Sequence, residues 1–151
     1  MKAIFMSLLL LLLVAVAVAQ IEEQVSRDWK TLGELKTFGL TKARMQFTVS
    51  GSDTSSMLFM KDFTKQPENN YFSIVFNNAG DTFNKFYNLL VSFFLDKNRK
   101  DKDYMRTVKL GKTMVNMQHQ GLIGSAGVRL TTNEGYIVLS KRDIDKLFGK
   151  R

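Results

Sequence analysis

The chain has 151 residues, with 22 lysines and arginines, 14 aspartates and glutamates, and a formal net charge of +8. It has no cysteine and one histidine, which excludes thiol nucleophiles, disulfides, thiolate metal sites and metal sites built from several histidines. The positive charge favours anionic partners such as acidic polysaccharide, nucleic acid, an anionic membrane or a charged matrix. Solubility alone is the alternative explanation of the same charge.

The N-terminal segment has the organisation of a cleaved secretory signal. Lys2 precedes an uninterrupted apolar run, and Ala17 and Ala19 flank Val18 just before a candidate cleavage point after Ala19. The run ends at Gln20, short of the roughly 20 apolar residues that a membrane-spanning helix needs. We therefore predict a signal peptide at residues 1–19 and one secreted, extracellular domain at residues 20–151. No transmembrane segment is expected after cleavage, and the net charge falls to +7 because Lys2 is the only charge removed.

The first predicted element of that domain is an amphipathic helix over residues 21–40. Its apolar residues recur near helical spacing, namely Ile21, Val25, Trp29, Leu32 and Leu35. Gly39 is a plausible helix stop, whereas Gly33 lies inside the pattern and weakens it.

Strands and a central core helix follow. Residues 43–49 alternate between apolar and polar side chains and pair with residues 57–63 as a hairpin. Residues 71–76 predict a buried strand, a turn comes next, and residues 81–95 predict a helix. Its aromatic face indicates core packing rather than a cofactor site, and comprises Phe83, Phe86, Tyr87, Leu90, Phe93 and Phe94.

The remaining chain predicts further strands and a short terminal helix. Two extended segments flank Gly111, a hairpin surrounds residues 133–135, and Ser140 begins a capping signal before the last helix. Three glycines between residues 121 and 127 predict a turn or bulge, since they lack the spacing and the Lys-Ser/Thr ending of phosphate loops. We therefore predict an α+β fold with an N-terminal helix, a largely antiparallel sheet of about six to seven strands, a core helix and a short C-terminal helix.

A basic strip follows the core helix. Seven cations lie between residues 97 and 112 and are candidate contacts for phosphates or sulfates: Lys97, Arg99, Lys100, Lys102, Arg106, Lys109 and Lys112. Asp96, Asp101 and Asp103 are interspersed among them. A solvated loop is therefore the alternative interpretation of the strip.

No catalytic residue, cofactor or metal ligand is predicted. His119 lies in a polar run without a nucleophile motif, and a lone histidine of this kind is usually an ordinary surface residue. The paired carboxylates lie near the chain ends amid cations, where a solvated surface explains them better than acid–base catalysis. We expect a protein that acts by binding rather than as an enzyme.

The C-terminal sequence KR-DIDKLFG-KR resembles a neuropeptide cassette of a secreted precursor. The resemblance implies processing at Lys141–Arg142 and Lys150–Arg151, with Gly149 as amide donor, after signal cleavage at Ala19. The alternative is a terminal helix with Gly149 as its stop, because Ile144 and its apolar neighbours have helical spacing.

The predicted order of elements, successive strands followed by a helix and repeated, is similar to the organisation of whirly-type and Pur-type domains. That resemblance implies binding of single-stranded nucleic acid on aromatic and basic side chains. The main functional prediction remains a secreted cationic binding protein with an anionic extracellular polymer, matrix or membrane surface as its partner. Release of a C-terminal peptide and single-strand binding are the alternatives.

Overall fold

The computed structural model describes residues 28–64, 70–122 and 125–150. It is mostly β, with two separate four-stranded antiparallel sheets. The first sheet has the order β1 (Lys30–Thr37), β2 (Leu40–Ser50), β3 (Asp53–Lys61) and β4 (Tyr71–Asn77). A 3-10 turn at Ala79–Asp81, helix α1 (Thr82–Ser92) and the short helix α2 (Asp96–Arg99) follow. The second sheet has the order β5 (Met105–Leu110), β6 (Thr113–Leu122), β7 (Ser125–Thr131) and β8 (Tyr136–Ser140), and helix α3 (Lys141–Leu147) ends it.

Both sheets and two helices contribute to one hydrophobic core. The buried side chains alternate along the strands, as expected when one face of each sheet is covered. They include Met45, Leu58 and Ile74 from the first sheet, Met117, Leu130 and Ile137 from the second, Phe86 and Leu90 from α1, and Ile144 and Leu147 from α3. Four strands followed by a helix therefore occur twice, and the two units share their interior.

The α+β prediction, with an N-terminal helix and a single sheet, is wrong. Within the predicted helix, residues 30–37 form strand β1 and Leu40 begins β2. Residues 21–27 lie outside the described residues, as does the predicted signal at residues 1–19. Gly33 explains the difference, because a Cβ at this position would collide with the backbone carbonyls of Lys146 and Leu147 in α3. The glycine that weakens the predicted N-terminal helix is therefore required in strand β1, because α3 packs directly against it.

Several local predictions match elements of the structure. The hairpin at residues 43–63 is β2–β3, in which Met45 pairs with Leu58. The buried strand and core helix are β4 and α1, and the two extended segments around Gly111 are β5 and β6. Turn and cap residues produced correct local predictions because their effect depends on near neighbours in the chain.

Helix α3 joins the end of the described chain to its beginning. Its first turn is fixed by reciprocal bonds: the Asp143 backbone N–H donates to the Ser140 hydroxyl (3.2 Å), and the Ser140 N–H donates to the Asp143 carboxylate (3.0 Å). Phe148, directly after the helix, packs against Phe86 with ring centroids 5.8 Å apart. The Phe148 ring thus connects the end of the helix to α1, and the backbone of α3 lies against Gly33 of β1. Among the described residues, no helix combines the length and the apolar character needed to cross a bilayer.

Candidate functional site

Three neighbouring clefts run from the β1–β2 turn, past α3, to α2. The first has a volume of about 370 Å³, the second about 560 Å³ and the third about 550 Å³. Thr37 and Lys42 line both the first and the second cleft, and Arg142 lines both the second and the third. Each cleft adjoins the next at these residues, and we call the three clefts together the basic groove.

The groove is lined by an excess of positive charge. Seven cations and one carboxylate, Asp143, occur among its described lining residues: Lys36, Lys42, Lys61, Arg99, Lys141, Arg142 and Lys146. They come from β1, β2, β3, α2 and α3, which are distant in the sequence. Clefts lined by one sign of charge concentrate the opposite ion, so the groove attracts anions.

Arg142 and Lys146 are the cations best placed for an anionic ligand. They are four residues apart on α3 and therefore lie on the same side of the helix. Both are exposed, and neither forms an ion pair with another described residue. They can bind a ligand without first giving up an internal partner.

Other groove cations are held by carboxylates. Lys42 pairs with Asp143 at 3.3 Å, and Lys36 pairs with Glu34, just outside the clefts, at 3.0 Å. Arg99 and Lys141 pair with Asp96 and Asp145 at 3.9 and 2.8 Å. Glu34, Asp96 and Asp145 lie outside the lining, and Asp143 lies within it. Even when all four carboxylates are counted, the seven lining cations outnumber them.

Glu34 sets the charge balance at the β1–β2 end of the groove. Hydrogen bonds from Arg44 and Lys36 lower the pKa of its carboxyl from 4.5 to about 2. The Arg44 guanidinium also pairs with the Glu34 carboxylate at 2.5 Å. The carboxylate therefore stays ionised through any ordinary pH and offsets part of the positive charge there.

The helix that carries Arg142 is tied to α1 by a tyrosine. The Tyr87 hydroxyl donates to the Asp145 carboxylate at 3.0 Å, and partial burial together with this bond raises the pKa of Tyr87. Lys150 lies 5.4 Å from the centre of the same ring. These contacts fix the helix that carries the central groove cations.

The β1–β2 turn projects an aromatic side chain at the first cleft. Phe38 is fully exposed (101% of its reference area) and has a positive φ of 49°. Two-residue hairpin turns with positive φ favour Asn, Asp and Gly, and a bulky residue there is strained by about 1 kcal/mol. Phe38 therefore stabilises neither the turn nor the core, so its presence at this position has no structural explanation.

The predicted basic strip does not form one surface. Its seven cations are all exposed and extend from α2, through the following loop and the edge strand β5, to the β5–β6 turn. Arg106 and Lys109 are three residues apart on β5 and therefore face opposite sides of the sheet. Arg106 stacks over Tyr104 at 4.3 Å. Only Arg99 of the strip also lines the groove.

The predicted processing residues lie in and around α3. Lys141 and Arg142 begin the helix, Gly149 follows it with a positive φ of 62°, and the Lys150 amine donates to the Asn84 side chain at 3.1 Å. Ala19 and Arg151 lie outside the described residues. The intervening Phe148 is buried, so release of the peptide would remove core side chains.

His119 is not an ordinary surface residue. Its ring is half-buried, packs 5.3 Å from that of Phe93, and its Nε2 lies 2.9 Å from the Asn98 carbonyl oxygen. These contacts give the histidine a packing role beside α2. No group of three or more potential metal ligands occurs in the part of the chain that the structure describes.

Comparison with protein-family models, curated proteins and solved structures finds no match to this chain.

Sequence reasoning missed most of the groove because its cations are isolated in the sequence. Lys36, Lys42 and Lys61 are each surrounded by ordinary strand residues, and no local density of charge marks them. The only local signals were the dibasic Lys141–Arg142 pair and Arg99, which belonged to different hypotheses. The structure brings all three to one cleft.

Proposed function

We propose that this protein is a non-enzymatic, extracellular binding protein whose basic groove holds a linear anionic polymer. The observation that carries the proposal is the continuity of the three clefts, which share Thr37, Lys42 and Arg142. A compact anion would fill one cleft, whereas a chain of regularly spaced charges can contact cations along all three.

The chemistry of the lining supports a sulfated or carboxylated polysaccharide. Lysine and arginine side chains bind such groups by charge and hydrogen bonds, and counterion release makes the binding dependent on salt. Arg142 at the centre of the groove is the main expected contact, with Lys146 beside it. Ion-paired cations such as Lys36 attract the polymer more weakly, because a neighbouring carboxylate offsets their charge.

The test compares two double variants with the same change of charge. Arg142→Gln with Lys146→Gln removes two groove cations, and Lys109→Gln with Lys112→Gln removes two exposed cations of the strip. Binding of heparin oligosaccharides of graded length is measured by titration at several salt concentrations. The groove variant should bind about ten- to a hundredfold more weakly at low salt, with a salt slope smaller by about one to two.

The strip variant is the control and should lose less than about threefold in affinity. Wild-type affinity should rise with oligosaccharide length until the ligand reaches all three clefts. Equal losses in the two variants would indicate non-specific attraction to a basic protein. Undetectable heparin binding by the wild type at low salt would contradict the proposal for this class of polymer.

Single-stranded nucleic acid is the second candidate polymer. Aromatic side chains occur at both ends of the groove, Phe38 and Phe63 in the first cleft and Phe94 in the third. Bases stack on such rings, whereas polysaccharides offer no aromatic face. An oligothymidylate that binds at least tenfold more tightly than polyphosphate of equal charge would favour nucleic acid. Equal affinities would leave only the charge to explain the binding.

Export of the chain is part of the proposal and has its own test. Intact mass measurement of the naturally secreted product should give a chain that begins at Gln20 and ends at Arg151. A product cut at Lys141–Arg142 would instead support the peptide precursor, and a product that retains residues 1–19 would contradict signal cleavage.

A further inference from the structure

The β1–β2 turn combines an unsupported aromatic side chain with nearby lysines. Phe38 is fully exposed, and Leu40, on the other side of Gly39, is half-exposed. A Cβ built on Gly39 would have no atom within 4 Å, so the turn is open to solvent at this residue. Lys36 and Lys42 flank the turn, and Lys61 lines the same cleft as Phe38.

We propose that this turn inserts Phe38 and Leu40 into the interface of an anionic phospholipid bilayer. The apolar surface offered is little more than two side chains, each of roughly 150–250 Å² at most. A stable protein–protein interface needs about 800 Å² per partner, so a docked protein would leave most of its contact to polar groups. A bilayer accepts a single side chain because it adapts to the shape of the turn.

The order of side chains along the hairpin matches the layers of a membrane surface. Next to the tip of the turn, Thr37 lies opposite Leu40, and one step further Lys36 lies opposite Thr41. Hydroxyl and ammonium groups therefore follow the apolar side chains along the hairpin. Two strand residues span about 7 Å at roughly 3.3 Å each. Apolar groups bound at an interface lie about 5–10 Å deep, so Phe38 reaches the acyl chains while Lys36 stays among the headgroups.

Charge complementarity selects the lipid. Lysines near a bilayer surface gain binding energy from anionic headgroups and none from neutral ones. Lys36 and Lys42 beside the turn, together with Lys61 in the same cleft as Phe38, outnumber Glu34 and Asp143, the carboxylates paired with Lys36 and Lys42, and therefore favour phosphatidylserine over phosphatidylcholine. These lysines also line the first two clefts of the basic groove. The polymer and the membrane would therefore contact part of the same basic surface, but membrane binding depends on Phe38.

The test follows the turn itself in the intact protein. Phe38→Trp and Ser52→Trp place a fluorophore in the β1–β2 and the β2–β3 turn, both exposed. Each variant, and the wild type as a Trp29 reference, is mixed with vesicles of phosphatidylcholine alone or with added phosphatidylserine, with and without brominated acyl chains. Only the Phe38→Trp variant should shift to shorter wavelength and be quenched by the brominated lipid, and only with phosphatidylserine present.

A second variant separates the membrane from the groove. Phe38→Asn suits the positive φ of the turn and should fold at least as well as the wild type. It should partition onto phosphatidylserine vesicles about tenfold less than the wild type. The double variant Arg142→Gln with Lys146→Gln, which leaves the turn intact, should lose heparin binding while it keeps most of its vesicle binding. The proposal is overturned if both tryptophan variants respond alike, if neutral vesicles bind equally well, or if Phe38→Asn binds phosphatidylserine vesicles as tightly as the wild type.

Discussion

The two basic regions of this protein are built in opposite ways. The strip at residues 97–112 is dense in the sequence but spreads over a helix, a loop, both faces of an edge strand and a turn. The groove is sparse in the sequence but gathers cations from five elements around three joined clefts. Charge density along a chain and charge density in space are thus independent quantities, and a ligand responds to the second.

The strip also has a structural explanation that the groove lacks. Charged side chains on an edge strand discourage pairing with the strands of other molecules. Arg106 and Lys109 on β5 fit that role because β5 is an outer strand of its sheet. Arg142 and Lys146 protect no edge, although Lys146 in the last turn of α3 suits the helix dipole.

The largest expected effect comes from loosening α3, which carries the central part of the groove but no part of the strip. Phe148 is buried and contacts Phe83, Phe86 and Tyr87. Phe148→Ala should lower the free energy of unfolding by about 3–5 kcal/mol through loss of packing and a residual cavity. Urea unfolding measures the change. Phe59→Ala, which removes a half-buried ring stacked on Tyr71, is the control and should cost clearly less. A Phe148→Ala protein as stable as the Phe59→Ala protein would contradict the docking of α3.

A smaller effect is expected from separating α3 and β1 by one methyl group. Gly33→Ala places a Cβ against the backbone of Lys146 and Leu147, which cannot rotate away, and should cost about 1–3 kcal/mol. Gly121→Ala in β6 meets no atom within 4 Å and should change stability by less than about 0.5 kcal/mol. Thermal unfolding of both proteins checks the pair. Equal melting temperatures would show that the helix does not rest directly on the strand.

The stability of the protein should depend on pH through Glu34, whose carboxylate lies beside the groove. Its folded pKa of about 2 lies below the ordinary 4.5, so its contribution to stability is present above pH 4.5 and is lost as the pH falls towards 2. Glu34→Gln should remove this pH-dependent part, and the stability curves of variant and wild type should converge at the acid end. The same substitution removes a negative charge beside Lys36 and should raise heparin affinity a few-fold at neutral pH. Parallel stability curves across this range would contradict the low pKa.

The smallest effect is expected from the strip. Lys97→Gln, Lys100→Gln and Lys102→Gln together remove three exposed charges outside the groove lining. Affinity for heparin should fall by less than about twofold at moderate salt, since separated surface charges are screened. A tenfold loss in the same titration would indicate that heparin binds to the strip rather than to the groove.

The sequence predicted local structure better than it predicted assembly. Ser140 and Asp143 cap α3 as their spacing indicates, and the alternation at Met45 correctly gave a strand with one buried face. The N-terminal region failed because Trp29, Leu32 and Leu35 fall near helical spacing by coincidence, and only Leu35 is buried. Whether a segment is a helix or a strand depended there on a partner far away in the chain.

The division into two sheets and the position of the groove were not predictable for the same reason. Each predicted strand was compatible with one sheet of six to seven strands. A core helix was predicted between β4 and β5, but a helix between two strands does not decide whether both strands join the same sheet, and the short helix α2 was not predicted. Lys42 and Arg142 reach one cleft only because α3 returns to the first sheet.

The return of α3 to β1 also has a consequence for how the chain reaches its native state. Lys42 pairs with Asp143 across a separation of 101 residues, and Gly33 lies against the helix backbone. Such contacts raise the contact order and slow folding, because a long loop must close before they form. During synthesis the first sheet emerges well before α3, so the part of the first sheet that lies against α3 stays uncovered until that helix has been made. We therefore expect the final step of folding to follow synthesis of α3, and a chain that stops before Lys141 to collapse without reaching the native core.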